Sequence, residues 1–133
     1  MSGFLDTSML VRYLVRDVPE MAEQAAKLID GEEDLWVTGV GLAEVSYVLR
    51  STYLLPREMV IDHLLTFLSK QNVSCYGLDK GTVQQALLMC RPTGRISVAD
   101  AMIWAAARSS GLNVVYSFDQ RFPSEGIEVR TGP

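Results

Sequence analysis

Short apolar runs alternate along the chain with longer stretches whose apolar residues recur at helical spacing. Gly3-Phe4-Leu5 runs into Asp6, hydroxyls follow at Thr7 and Ser8, and a helical pattern then begins, so the opening reads strand, polar turn, helix. Met9 to Arg16 predicts a helix with Leu10, Tyr13 and Leu14 on one stripe and Arg12 and Arg16 outside it. Pro19 opens a second helix through Met21, Ala25, Leu28 and Ile29 that Asp30-Gly31 ends, and Leu35 to Thr38 reads as a strand. After Gly39-Val40-Gly41 comes a helix with Leu42, Val45, Val48 and Leu49 on one side and Glu44 in its first turn. Pro56 opens a helix built on Met59, Val60, Leu64, Phe67 and Leu68, Val73 to Tyr76 is a strand, and Lys80 to Cys90 is a helix lined by Val83, Ala86, Leu87 and Cys90. Val98 to Ala107 is apolar except at Asp100, which predicts a helix buried on all sides and closed by Gly111. Leu112 to Tyr116 is the next strand, running into Ser117-Phe118-Asp119, and Ile127 to Arg130 is a last, edge strand. Strands separated by helices in this order predict an α/β fold on a parallel sheet.

Four acids stand at comparable places in this grammar. Asp6 and Asp119 end strands, while Glu44 and Asp100 fall in first helical turns. In parallel α/β sheets ligands bind where strand ends and the following helix starts meet, so the four would share one edge. Each has a plainer explanation as well. Asp6 is a good helix cap, Glu44 suits the positive end of a helix, and Ser97 with Asp100 has the spacing of a capping box. A charged Asp100 inside an apolar helix is nonetheless costly unless paired or coordinated. Clustered carboxylates repel one another, which a divalent cation relieves, and oxygen-only ligands favour Mg²⁺ or Mn²⁺. Such ions commonly activate water and stabilise charge in phosphodiester hydrolysis.

Composition narrows the field. The 133 residues suit one domain spanning 1–133, and the 48% hydrophobic and 21% charged fractions are those of an ordinary globular chain. With no membrane-length apolar run and no signal-peptide pattern, a cytoplasmic protein is expected. Cys75 and Cys90 have no metal-ligand spacing, so neither a disulfide nor a zinc site is expected. His63 has no Ser or Cys nucleophile motif to partner it, which sets aside a nucleophile-and-base triad. The net charge of −4 argues against a broad basic footprint on nucleic acid, and removing the four acids brings the chain to neutrality. Nine of the twelve basic residues are Arg, and Arg91 and Arg95 in the loop Arg91-Pro92-Thr93-Gly94-Arg95 are candidates for phosphate contact or for a solvated connection.

Four stretches together resemble a known family: Phe4-Leu5-Asp6-Thr7-Ser8-Met9-Leu10-Val11-Arg12-Tyr13-Leu14, Leu42-Ala43-Glu44-Val45, Ser97-Val98-Ala99-Asp100-Ala101 and Tyr116-Ser117-Phe118-Asp119. Their order and spacing resemble the PIN domains, and among them the VapC-type toxin ribonucleases. The resemblance implies a Rossmann-like three-layer α/β/α sandwich with a central, mostly parallel sheet. It also implies an Mg²⁺- or Mn²⁺-dependent endoribonuclease acting on RNA, a small antitoxin partner that blocks the site, and a homodimer. Asp6, Glu44, Asp100 and Asp119 match the family's acids. Asp6 and Asp100 are thereby expected as metal ligands, Glu44 as a ligand or the orienter of the attacking water, and Asp119 as a further ligand. Ser117 matches a hydroxyl position, and Ser8 departs from the family's usual Asn. Two other readings remain: a non-catalytic PIN-like binding module, and a haloacid-dehalogenase-like phosphotransferase, which normally needs a second Asp where this chain has Ser8.

Overall fold

The computed structural model describes residues 1–92 and 94–133, so Thr93 of the Arg91–Arg95 loop lies outside the described residues. In chain order the elements are β1 (Gly3–Phe4), α1 (Thr7–Val15), α2 (Pro19–Ile29), β2 (Leu35–Val37), α3 (Gly39–Ser51), α4 (Arg57–Leu68), β3 (Val73–Cys75), α5 (Lys80–Cys90), α6 (Val98–Ser110), β4 (Val114–Tyr116) and β5 (Glu128–Arg130). This is the expected α/β fold. Strands β1, β2 and β3 pair in that order, Phe4 opposite Trp36 and Trp36 opposite Ser74, and β4 pairs with β5. Every pairing is parallel. Parallel neighbours need crossover connections, and two helices fill each of the links β1–β2 and β2–β3.

Caps set most helix starts. Asp6, Thr38, Asp79 and Ser97 precede α1, α3, α5 and α6 and accept hydrogen bonds from Ser8, Gly41, Thr82 and Asp100 backbone N–H groups. Gly111 ends α6 in the left-handed conformation at φ 79°, which suits a residue without Cβ. Most boundaries fall within two residues of expectation, and the start of α3 bears on the site. Thr38 Oγ1 accepts from Gly41 N at 3.0 Å, so α3 begins at Gly39 and absorbs the two glycines that read as loop. Glu44 therefore lies in the second turn of α3 and not the first, and complementing the helix dipole explains it less well.

The core is a single apolar cluster that includes Leu42, Val45 and Leu49 of α3, Leu64 and Phe67 of α4, Leu87 of α5 and Trp104 of α6. All four residues expected inside α5 are buried. Met21 and Met59, expected on inner faces, are exposed near the starts of α2 and α4, while Ala22 and Ile61 are buried in their stead. Helix α6 corrects the expectation further. Ala101, Trp104 and Ala105 are fully buried, but Ile103 is 51% exposed and Ala99 and Ala106 face outward. Apolarity on every side does not bury a helix that has α3 and α5 on part of its surface only. Among the described residues no helix is long and apolar enough to cross a membrane.

Candidate active site

Asp6 follows directly on the short strand–turn opening and caps α1. Its Oδ2 accepts from Ser8 N at 3.1 Å and from Ser8 Oγ at 2.7 Å. The Ser8 hydroxyl, and after it the Ser8 backbone N–H, hold the carboxyl below the ordinary Asp range, because both bonds favour the charged form. Asp6 is thus both the helix cap and a committed carboxylate. Ser8, in the place of the family's usual Asn, supplies local hydrogen bonding of this kind.

Packing of α1 on α3 brings Glu44 to the same place. Asp6, Ser8 and Glu44 line one open depression of about 370 Å³ together with Arg12, Val48 and Tyr53. Its far wall is a cross-braced triad. Arg12 Nη1 lies 3.0 Å from both oxygens of Asp17 and 3.1 Å from Tyr53 Oη, which itself donates to Asp17 at 2.8 Å. The bond from Tyr53 and then the pairing with Arg12 hold Asp17 ionised. A cation thereby stands in the wall of an acidic depression, its charge matched by Asp17. Sequence reading places Arg12 only outside an apolar stripe, takes Asp17 as a charge at the positive end of α2, and passes over Tyr53. The available signal was Arg12 and Asp17 flanking the C-terminal end of α1, but Tyr53 lies forty-one residues from Arg12 and only the fold unites them.

Asp100 and Asp119 stand outside the lining of this depression. Asp100 occupies the first turn of α6, where Ser97 Oγ accepts from its backbone N–H at 3.0 Å, one arm of the expected capping box. It is half-buried and not enclosed in an apolar interior as the sequence suggested, since the helix around it is open on one side. Helix α6 follows α5 and a loop, not a strand, and its packing on α3 is what brings Asp100 toward Glu44's helix. Asp119 follows β4 within a tight turn. Its N–H donates to Ser117 Oγ at 3.0 Å, its Oδ1 accepts from Arg121 N at 2.9 Å, and the Arg121 guanidinium lies 4.0 Å away. Ser117, whose N–H bonds to the Arg130 carbonyl, is the hinge of that turn.

The loop arginines divide. Arg91 grips Asp62 of α4 with two bonds of 2.8 and 2.9 Å, so its fork fastens the loop to the body of the fold. Arg95 is exposed on the same loop. His63 is half-buried on α4, away from the four acids. Cys75 and Cys90 are free and buried, and burial pushes both thiols up to about 11.

Among the described residues no three acidic, His or Cys side chains stand close enough together to enclose a metal ion. The donor set nevertheless fits a hard cation. Asp6 is held ionised, Glu44 shares its depression, the neighbouring donors are hydroxyl oxygens, and Mg²⁺ characteristically keeps several waters and takes only one or two carboxylates, the rest coming from substrate phosphate. A comparison with curated proteins finds no match. The family model described as PIN domain matches residues 3–125. With nearly the whole chain matched, on an α/β fold with a parallel sheet, the protein belongs to the PIN domain family, whose members are typically metal-dependent nucleases.

Proposed function

We propose that the chain is an Mg²⁺- or Mn²⁺-dependent endoribonuclease, the toxin of a VapBC-type pair. The observation that carries this reading is the ionised Asp6 carboxylate sharing one depression with Glu44 in a PIN-family chain. Asp6 and Glu44 would hold the cation, with Asp100 of α6 as a further ligand and Asp119 beside it once substrate is bound. The bound metal would polarise the scissile phosphate and lower the pKa of the attacking water. The chain's own groups do the rest. Ser8 holds the Asp6 carboxylate in place, Glu44 would orient the attacking water from the same depression where it is not itself a ligand, and the braced Arg12 fixes the wall against which the strand lies. Water adds to phosphorus and the P–O ester bond breaks, leaving a phosphate and a hydroxyl end.

The antitoxin would cover this depression, and a second copy would pack on the apolar surface where α3 meets α6. There Val40, Tyr76 and Ile103 are 76%, 62% and 51% exposed around a shallow apolar hollow. The test is cleavage of single-stranded RNA by the purified chain with Mg²⁺ or Mn²⁺, with EDTA, and with Glu44→Gln. Metal-dependent cleavage lost in the folded variant is expected. RNA binding without cleavage at any metal concentration would establish a non-catalytic module instead.

A further inference from the structure

Outside the acidic depression, a second concavity lies between α3, α4 and the loop that leads into α6. It is a cleft of about 280 Å³ whose floor is apolar, made by Val60, Ile61 and Val98, and whose rim carries Tyr47, Arg50 and Arg57. That volume is just below the roughly 300–1,000 Å³ of sites for drug-sized ligands, so it suits one ring system and its attached group.

The rim brings two arginines and an aromatic ring onto one concavity. Half of the twelve basic side chains of this acidic protein are matched by a carboxylate: Arg12 by Asp17, Lys27 by Glu23, Lys70 by Asp30, Arg91 by Asp62, Arg121 by Asp119 and Arg130 by Glu128. Among the described residues Arg50 and Arg57, like Arg16, Lys80 and Arg108, have no such ion pair, and these two line the same cleft. Arg50 Nη1 bonds only a carbonyl, that of Leu55 at 3.3 Å, which leaves its charge uncompensated. The Arg57 guanidinium lies across Gly94, where a Cβ would stand 2.8 Å from its Nη2, so the absence of a side chain there gives it room. On the same cleft Tyr47 is 70% exposed, a large aromatic face open to a partner ring.

The cleft also adjoins the acids. Tyr47 follows Glu44 by three residues on α3, about 5–6 Å between Cβ atoms on a helix surface. The opposite wall includes Ser97, Val98 and Ala99, immediately before Asp100. Resting on the nuclease reading, we infer that this cleft is a nucleotide subsite for single-stranded RNA, with one base stacked on Tyr47 over the apolar floor and the flanking phosphates on Arg50 and Arg57. Aromatic stacking plus arginine forks is how single strands are gripped with little sequence preference. The geometry runs the strand from the cleft past Glu44 toward the acidic depression.

The experiment is fluorescence anisotropy with a short labelled oligouridylate in EDTA, where no cleavage occurs, over a salt series. Tyr47→Ala should weaken binding roughly 5- to 150-fold, the loss expected for one stacked base. Arg50→Gln and Arg57→Gln should each flatten the slope of log affinity against log salt by about 0.7, one phosphate contact on a single strand. Lys27→Gln, on the outer face of α2, should leave affinity and slope unchanged. Metal-dependent cleavage is measured in parallel. Binding that depends on the three cleft residues with no cleavage overturns the nuclease reading and supports the subsite. Cleavage by the wild type, with folded Tyr47, Arg50 and Arg57 variants that bind like it, overturns the subsite and leaves the nuclease standing. Absence of any oligouridylate binding by the wild type also overturns the subsite.

Discussion

Replacing Asp6 by Asn and by Ala separates its helix-capping role from its charge. The Asn side chain keeps an oxygen where Asp6 Oδ2 accepts from Ser8 N at 3.1 Å and Ser8 Oγ at 2.7 Å, and Asn equals Asp as an N-cap. The melting temperature of Asp6→Asn should stay within about 2 °C of the wild type, whereas Asp6→Ala, with no cap acceptor, should fall by roughly 3–5 °C for a domain of this size. Both variants lose the carboxylate, so metal-dependent RNA cleavage should drop at least ~10²-fold in each, on the scale of deleting one electrostatic group from a catalytic site. Thermal unfolding by circular dichroism and initial rates on a labelled RNA read the two effects independently. A folded Asp6→Asn chain with wild-type turnover would refute the assignment of Asp6 to the site. A melting temperature as low as that of Asp6→Ala would refute the cap geometry. The pH dependence follows from Ser8, whose hydroxyl is the main cause of the lowered Asp6 pKa. A depressed folded pKa contributes stability above the unfolded value of about 3.9, and this is lost as pH falls through the lower folded value. The stability deficit of Ser8→Ala should therefore be complete at neutral pH and close as pH falls below about 4.

Three further outcomes test the scaffold. Thr38→Ala removes the acceptor for Gly41 N–H at the start of the helix that bears Glu44, and should lower unfolding free energy by about 1 kcal/mol in urea titration; an unchanged midpoint would refute the early start of α3. Trp104→Phe keeps the fully buried ring but strands the Glu125 carbonyl that the indole N–H reaches at 2.9 Å, which should cost about 1–3 kcal/mol in the same titration; a deficit near zero would show that water replaces the indole. With both thiols pushed up to about 11, their thiolate fraction at pH 8 is roughly two hundredfold below that of an ordinary Cys, so disulfide-reagent labelling should be slower than in urea by at least this factor. Rapid labelling of the folded chain would contradict the burial of Cys75 and Cys90.

Legibility in the sequence varied with the range of the interaction that fixes each feature. Proline, glycine and capping side chains act within a turn, so α2 starts at Pro19, α5 spans Lys80–Cys90 and α6 stops at Gly111 as read. The start of α3 was misread because glycines weaken a helix in general, and one local bond from Thr38 outweighs that tendency. Arg91 shows the other limit. As a residue of a polar loop it serves phosphate binding or solvation equally well, and only the fold brings Asp62, twenty-nine residues earlier in the chain, beneath its guanidinium.

The acids show how this changes the functional argument. From sequence, Asp100 was the stronger case for a metal, as a charge in an apolar helix, and Asp6 the weaker, as a plain cap. Exposure of Ala99, Ile103 and Ala106 removes the premise, because a half-buried carboxylate in a first turn needs no cation to be tolerated. The weight moves to α1 and α3, where Asp6 is held in place by Ser8 and faces the same depression as Glu44. Capping and coordination then reinforce each other. The bonds that hold the start of α1 also fix the direction of the carboxylate, so the residue that positions the helix presents an oriented charge where a divalent cation and a phosphodiester would meet it.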